Sequence, residues 1–345
     1  MEELQWFQLI KKDGEYMKMS KFSLLSLLTI LLLVLQGCSS GTSANSDGKN
    51  STGKYPERDI EIVVGWGAGG GTDTFARSIA KEMSDTLDVN INVVNLPGAS
   101  GANAGDHTAR QPADGYTIWA ISSNYPINVA RKTTPHDLSQ YKAIGRVQQD
   151  TMSLQVLKGK KFTDYEDFIK QAKGSPGKIS VGGTGAVGFD ELVLRQFEEK
   201  AGIKLNYISY EDAGEMHAAL LGGHIDGMLE EIGPSIAQIE DRSVEMLLAF
   251  TDKKLEGFEE TPISTEKGID LTEGQERGLL VHADTPDEIV DALQQALEKA
   301  KDSEEYMKYE KDSYLHLRDG WLNGEDFKKN LENKIKTYES IVEGL

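Results

Sequence analysis

The residues best placed to do chemistry in this chain are glycines. Gly65, Gly67, Gly69, Gly70 and Gly71 fall within seven positions, directly after the β-branched run Ile60–Val64. Thr72 and Asp73 follow as N-cap candidates, and Phe75, Ala76, Ile79, Ala80 and Met83 then recur at helical spacing. A strand, a glycine loop and a helix start, in that order, form a nest of backbone N–H groups backed by the helix dipole, which is a site for an anion.

Gly65, Gly67 and Gly70 satisfy the dinucleotide pattern G-x-G-x-x-G, a weak signal in a chain with 35 glycines. The next strand, Ile91–Asn95, ends in Asn where a ribose would require Asp or Glu. No Lys follows the glycines, which excludes a Walker loop. Asp73, with no cation among the glycines themselves, argues against a highly charged phosphate. A carboxylate held by neutral amides fits better. Gly183, Gly185 and Gly188 repeat the pattern, again between a strand and a helix and again without a cation. Two such loops suggest two facing carboxylate sites; the bland alternative is a pair of tight βα turns.

Other reactive types are sparse. Gly98-Ala99-Ser100-Gly101-Ala102 misses the nucleophile elbow G-x-S-x-G by its last residue, so Ser100 reads as a cap or a hydrogen-bond donor to ligand. The six histidines form no H-E-x-x-H or other close ligand cluster. His217 and His224 could share a helix face, but Gly222-Gly223 ends that helix first. No acid–base pair stands at a defined spacing, so the sequence calls for neither catalysis, nor a metal, nor a cofactor.

Net charge is −19 over 345 residues, and the segment before Cys38 is neutral by count, so the mature chain keeps that charge. Such a surface repels nucleic acid. Lys18 and Lys21 precede Phe22–Leu35, a 14-residue apolar run too short for an ordinary span and suited to a signal-peptide core. It ends in Leu35-Gln36-Gly37-Cys38, which resembles the lipobox of bacterial lipoproteins. The one cysteine is therefore read as lipidated rather than as a buried thiol. Residues 1–37 form the leader, with translation starting at Met17 or Met19, and 38–54 form the lipidated cysteine and a Ser/Gly/Asn tether.

The elements that hold the loops follow in order. After Ile91–Asn95, a glycine turn leads into a helix near Ala102–Gln111, and Tyr116–Ile121 is a third strand; βαβαβ implies parallel strands. Tyr141–Leu157 reads as two strands meeting near Asp150, the first crossing between lobes. Strands at Lys178–Val181, Leu205–Ile208 and up to Leu229 alternate with helices, and Val244–Phe250 returns to the first lobe. Leu279–His282 is a last strand, and helices near Pro286–Lys301 and Glu325–Ile341 close the chain. Phe327, Leu331, Ile335 and Tyr338 mark the docking face of the final helix.

The spacing Gly69-Gly70-x-x-Asp73-x-x-x-Arg77, then Asn95-x-Pro97-Gly98-x-x-Gly101, then Asp114-Gly115-Tyr116-Thr117, resembles the substrate-binding receptors of tripartite tricarboxylate transporters, the Bug receptors, from about Tyr55 to the C-terminus. Gly222-Gly223-His224-Ile225-Asp226 is similar to the family's Gly-Gly-x-Val-Asp step. Tyr210-Glu211-Asp212 stands where the family has Tyr-Lys-Gly, so no cationic contact is carried over from that Lys. The resemblance implies an α/β, two-lobed fold of periplasmic-binding-protein type, each lobe a mostly parallel sheet flanked by helices. Residues 55–150 plus 244–345 make lobe 1 and 151–243 make lobe 2, with a ligand cleft between.

It also implies an extracytoplasmic, membrane-anchored receptor that is monomeric and not an enzyme. Such a receptor binds a di- or tricarboxylate or related acid and delivers it to integral membrane subunits. The rivals are an exported hydrolase or oxidoreductase using the glycine loops, or a binding protein for an ATP-driven transporter. In the cleft, Gly69, Gly70, Gly71, Thr72 and Asp73 with Pro97, Gly98, Ser100 and Gly101 should hold one end of the ligand. Thr184, Gly185, Val187, Gly188 and Phe189 should hold the other. Trp66 and Tyr210 should cover the carbon chain, unless Trp66 only packs at the loop base. Glu230, beside Glu231, follows a strand aimed at the cleft, where the family commonly has an acid. Either it turns away, or it is protonated or bridged through water, or it meets an ammonium on the ligand.

Overall fold

The computed structural model describes residues 55–211 and 213–342, so the leader, Cys38 and the tether lie outside the described residues. β1 (Ile60–Val64) is buried along nearly its whole length, as a central parallel strand requires. α1 (Gly71–Leu87), β2 (Ile91–Asn95), α2 (Ala102–Ala109) and β3 (Thr117–Ile121) follow, and β1 pairs parallel with both β2 and β3. α3 (Asn124–Ala130), a helix that the sequence pattern does not mark, carries Pro126 in its first turn, where a missing N–H costs nothing. β4 (Tyr141–Gln149) then runs directly into β5 (Met152–Leu157) of the second lobe.

The second lobe continues through α4 (Tyr165–Gly174), β6 (Ser180–Thr184), α5 (Phe189–Ala201), β7 (Asn206–Tyr210), α6 (Ala213–Leu221), β8 (Gly227–Glu231), α7 (Ile232–Glu240) and β9 (Val244–Ala249). The chain returns with β10 (Glu276–His282), α8 (Asp287–Lys301), α9 (Glu304–Asp312), β11 (Leu322–Asn323) and α10 (Gly324–Val342). One sheet has the order β11-β4-β10-β3-β1-β2 and the other β7-β6-β8-β5-β9.

Most strands of each sheet run one way, as expected: β1, β2, β3 and β4 in the first and β6, β7, β8 and β9 in the second. β10, β11 and β5 are reversed, so that β10 and β5 pair antiparallel with both of their neighbours. One expectation changes: Val244–Phe250 does not return to the first lobe. β9 pairs with β5, Leu248 opposite Leu154, and Leu247, Leu248 and Phe250 fill the second core beside Val181 and Phe197.

The return crossing comes later, and it lies against the first. Asp150 N–H donates to Gln275 O, Met152 N–H to Glu273 O, and Glu273 N–H to Phe250 O. Gly274 is required there, since an added Cβ would sit 1.7 Å from the carbonyl oxygen of Asp150. α10 joins the two lobes from outside. Phe327 and Leu331 belong to the core of the first, with Ile335 packed on it, whereas Tyr338 is buried in the core of the second.

Candidate functional site

A cleft of about 660 Å³ opens where β1, β6 and β8 end and the two crossings pass. Its first wall is the loop between β1 and α1. Asp73, in the first turn of α1, accepts hydrogen bonds from Gly69 N–H (2.8 Å), from Nε and Nη2 of Arg77, and from Nδ2 of Asn95 (2.8 Å). Burial by itself would raise its pKa, but the bonds from Arg77, Gly69 and Asn95 outweigh that and hold the carboxyl below its ordinary range. Asp73 thus shapes the loop from behind and does not line the cleft. Gly70 stands at the N-cap and offers no side-chain oxygen, leaving the first amides of α1 facing a cleft that Trp66, Gly69, Gly70, Gly71 and Thr72 line.

The second glycine turn stands behind this wall. Ala99 and Ser100 both lie at φ of 50°, a left-handed pair that costs non-glycine residues about 1–3 kcal/mol each. Nδ2 of Asn128 donates to Ser100 O and Nδ2 of Asn103 to Pro97 O, which hold the turn. Pro97, Gly98, Ser100 and Gly101 are not among the lining residues.

In the third loop Thr184 reaches the cleft, and its N–H and hydroxyl both donate to Oδ2 of Asp190. Val187 and Phe189 touch the first lobe through their backbones. Phe189 N–H donates to Oδ1 of Asn124, which therefore caps α5, and Nη1 of Arg131 donates to Val187 O. Gly185 O accepts from the hydroxyl of Tyr207, Gly188 is the N-cap, and the Phe189 ring is in the core. Tyr210 packs with Met216 and Ile225, away from the lining; Glu211 reaches it instead.

The opposite wall is acidic. Glu230 and Glu231 end β8, each 6% exposed. Oε2 of Glu230 lies 2.9 Å from Nε2 of His217, and Oε1 accepts the N–H of Glu231. Burial, with Glu231 and Asp190 nearby, drives the Glu230 carboxyl well up, and burial drives His217 down. Both shifts favour a neutral acid hydrogen-bonded to a neutral imidazole. Glu230 thus engages His217 directly, a partner that none of the options drawn from the sequence includes. Asp150, at the first crossing, and Asp190 are pushed up to about 7, chiefly by burial and further by the charge of Glu231. Burial and the like charges around them disfavour ionisation, so these carboxyls do not all ionise freely.

The sequence reading placed no cation here, and the structure corrects it. Arg277 of β10 lines the cleft, 6% exposed, with Nη2 3.0 Å from Oε1 of Glu231. It lies against the start of α1: a Cβ on Gly71 would be 2.4 Å from Arg277 Nη2. Its Nε is a buried donor with no acceptor among the described residues. A lone Arg in a strand has no periodic signature, so nothing in the sequence marks it. α9, which brings Tyr309 to the cleft, did carry a signal: Ser303 followed by Glu304-Glu305 is an N-cap with an acidic first turn, and its Oγ accepts Tyr306 N–H.

Two mixed sheets with flanking helices, linked by paired crossings over a ligand-sized cleft, define a two-lobed solute-binding protein. The solved structures agree. A TctC solute-binding protein from Polaromonas, solved without ligand, is 27% identical with a TM-score of 0.69, covering 84% of this chain and 100% of its own. MatC of Rhodopseudomonas palustris with bound malate superposes with a TM-score of 0.74 at 21% identity, covering 84% and 100%, a likeness of fold. In sequence, the UPF0065 protein in the gbd 5′ region of Cupriavidus necator is 26% identical over 294 residues, 85% of this chain and 89% of that protein. The family model "Tripartite tricarboxylate transporter family receptor" matches residues 75–344, and the chain belongs to that family.

Proposed function

We propose that this chain is an extracytoplasmic receptor that binds a small carboxylate in its interlobe cleft. A lipid on Cys38 anchors it, and as a monomer it delivers the ligand to the integral membrane subunits of a tripartite tricarboxylate-type transporter. The observation that carries this reading is the meeting of the uncapped start of α1 with the Arg277 guanidinium in one cleft. Backbone donors, a helix dipole and a guanidinium together recognise a carboxylate. The malate bound to the Rhodopseudomonas protein of the same fold supports that ligand class.

In this reading Gly69, Gly70, Gly71 and Thr72 receive the carboxylate with Arg277, Trp66 covers the carbon chain, and Thr184 closes the far side. Among the described residues no base hydrogen-bonds to the Ser100 hydroxyl. A thermal-shift screen of malate, succinate, glutarate, adipate and citrate tests the reading. A cognate acid at 100 times its Kd stabilises the protein by about 2.7 kcal/mol. Cys38→Ala should release the protein from the membrane fraction or leave its precursor uncleaved; a wild type found soluble and unlipidated would remove the anchor.

A further inference from the structure

The two walls of the cleft are opposite in character. One presents the start of α1 and Arg277. The other presents Asp150, Asp190, Glu230 and Glu231, all buried to more than nine-tenths. Including Glu211, five carboxyl side chains line the cleft among the described residues, against one guanidinium that already faces Glu231. A dicarboxylate would add two negative charges to a space with one cation.

The carboxyls differ in how far they are satisfied. Glu230 is engaged at both oxygens by His217 and the N–H of Glu231, and Asp190 holds Thr184. Asp150 accepts only Thr151 N–H at Oδ1, so its other oxygen takes no donor among the described residues. Asp150 stands in the field of Glu231, which raises its pKa, and of Arg277 and Arg318, which oppose that. The guanidinium of the cleft is thus shared by two carboxyls, and a second positive group would relieve them. At the same time the Nε of Arg277 is a buried donor with no acceptor among the described residues.

We propose that the ligand is a zwitterion, its carboxylate at the start of α1 beside Arg277 and its ammonium against Asp150 and Glu231. The inference rests on the carboxylate-receptor reading above and narrows it to amino acids, α- or ω-amino. A metal–carboxylate chelate fits less well, since no three acidic or histidine side chains among the described residues are grouped to hold one ion.

The test is calorimetric titration of the purified lipid-free receptor at pH 7.5 with matched pairs: succinate and L-aspartate, glutarate and L-glutamate, adipate and 6-aminohexanoate. Putrescine and succinate with Mg²⁺ complete the set. The amino member of at least one pair should bind tenfold or more tighter than its dicarboxylate. Asp150→Asn should remove that advantage while leaving the dicarboxylate unchanged or tighter. Dicarboxylates that bind as well as or better than their partners, or only with Mg²⁺, overturn the zwitterion and keep the carboxylate receptor. Binding of putrescine alone overturns the carboxylate reading, and no binding by any probe overturns both. Should Asp150→Asn fail to fold by circular dichroism, the wild-type ratios decide.

Discussion

Arg277 on β10 and Glu231 at the end of β8 meet at 3.0 Å across the cleft, so one ion pair ties the first sheet to the second. Both are nearly buried, and Asp150 adds its own charge beside Arg277. Removing one partner strands the other: Arg277→Met should cost about 3–5 kcal/mol in urea unfolding, and Glu231→Gln in that background should recover part of it. Additive losses in the double-mutant cycle would show that the pair is not coupled.

The pH dependence of stability follows from the carboxyls whose pKa values are raised. Asp150 and Asp190 titrate at about 7 in the folded chain, against about 4 when unfolded, and Glu230 is raised as well. The folded state then holds more protons between about pH 4 and 7, so their stabilisation is full below pH 4 and is lost as pH rises through 7. Arg277 and Arg318 oppose the shift of Asp150, and Thr184 with Arg277 opposes that of Asp190. The ligand-free protein should melt at a lower temperature at pH 8 than at pH 5.5. Asp190→Asn, which keeps an acceptor for Thr184, should flatten that slope; an identical slope in the variant would contradict the assignment.

Gly71 leaves room for Arg277 and little else. In Gly71→Val the new Cβ, placed 2.4 Å from Nη2, forces the guanidinium aside, and carboxylate affinity should fall at least tenfold. Cooperative unfolding should persist at a lower urea midpoint, because displacing Arg277 loosens its pair with Glu231 while the hydrophobic cores are untouched. Gly174→Ala, at a position with open space around it, serves as the control. Equal affinities in both variants would remove Arg277 and α1 from the site.

At the crossings the requirement is backbone against backbone. Gly274→Ala puts a methyl 1.7 Å from the Asp150 carbonyl, which only separation of the two crossings can relieve. The cost should exceed the roughly 0.5–3 kcal/mol of an ordinary substitution, visible as a lower urea midpoint. Loss of the 150–275 and 152–273 hydrogen bonds should also speed amide exchange at Asp150 and Met152. Unchanged exchange there would mean that the hinge tolerates the methyl.

Local pattern determined much of this protein. The β-branched run of β1, the glycine loop and the periodic face of α1 fix a strand, a turn and a helix, because each depends on neighbours within a few residues. The docking face of α10 was equally legible, since Phe327, Leu331, Ile335 and Tyr338 share one side at helical spacing. What the sequence did not disclose is which distant residues meet. Val244–Ala249 carries the same apolar signature whichever sheet it joins, and only its pairing with β5 decided the lobe. The charge of the cleft was decided in the same way. Glu230, Glu231, Asp150, Asp190 and Arg277 come from four separate stretches, and their ionisation is set by shared burial and mutual fields that no single stretch contains.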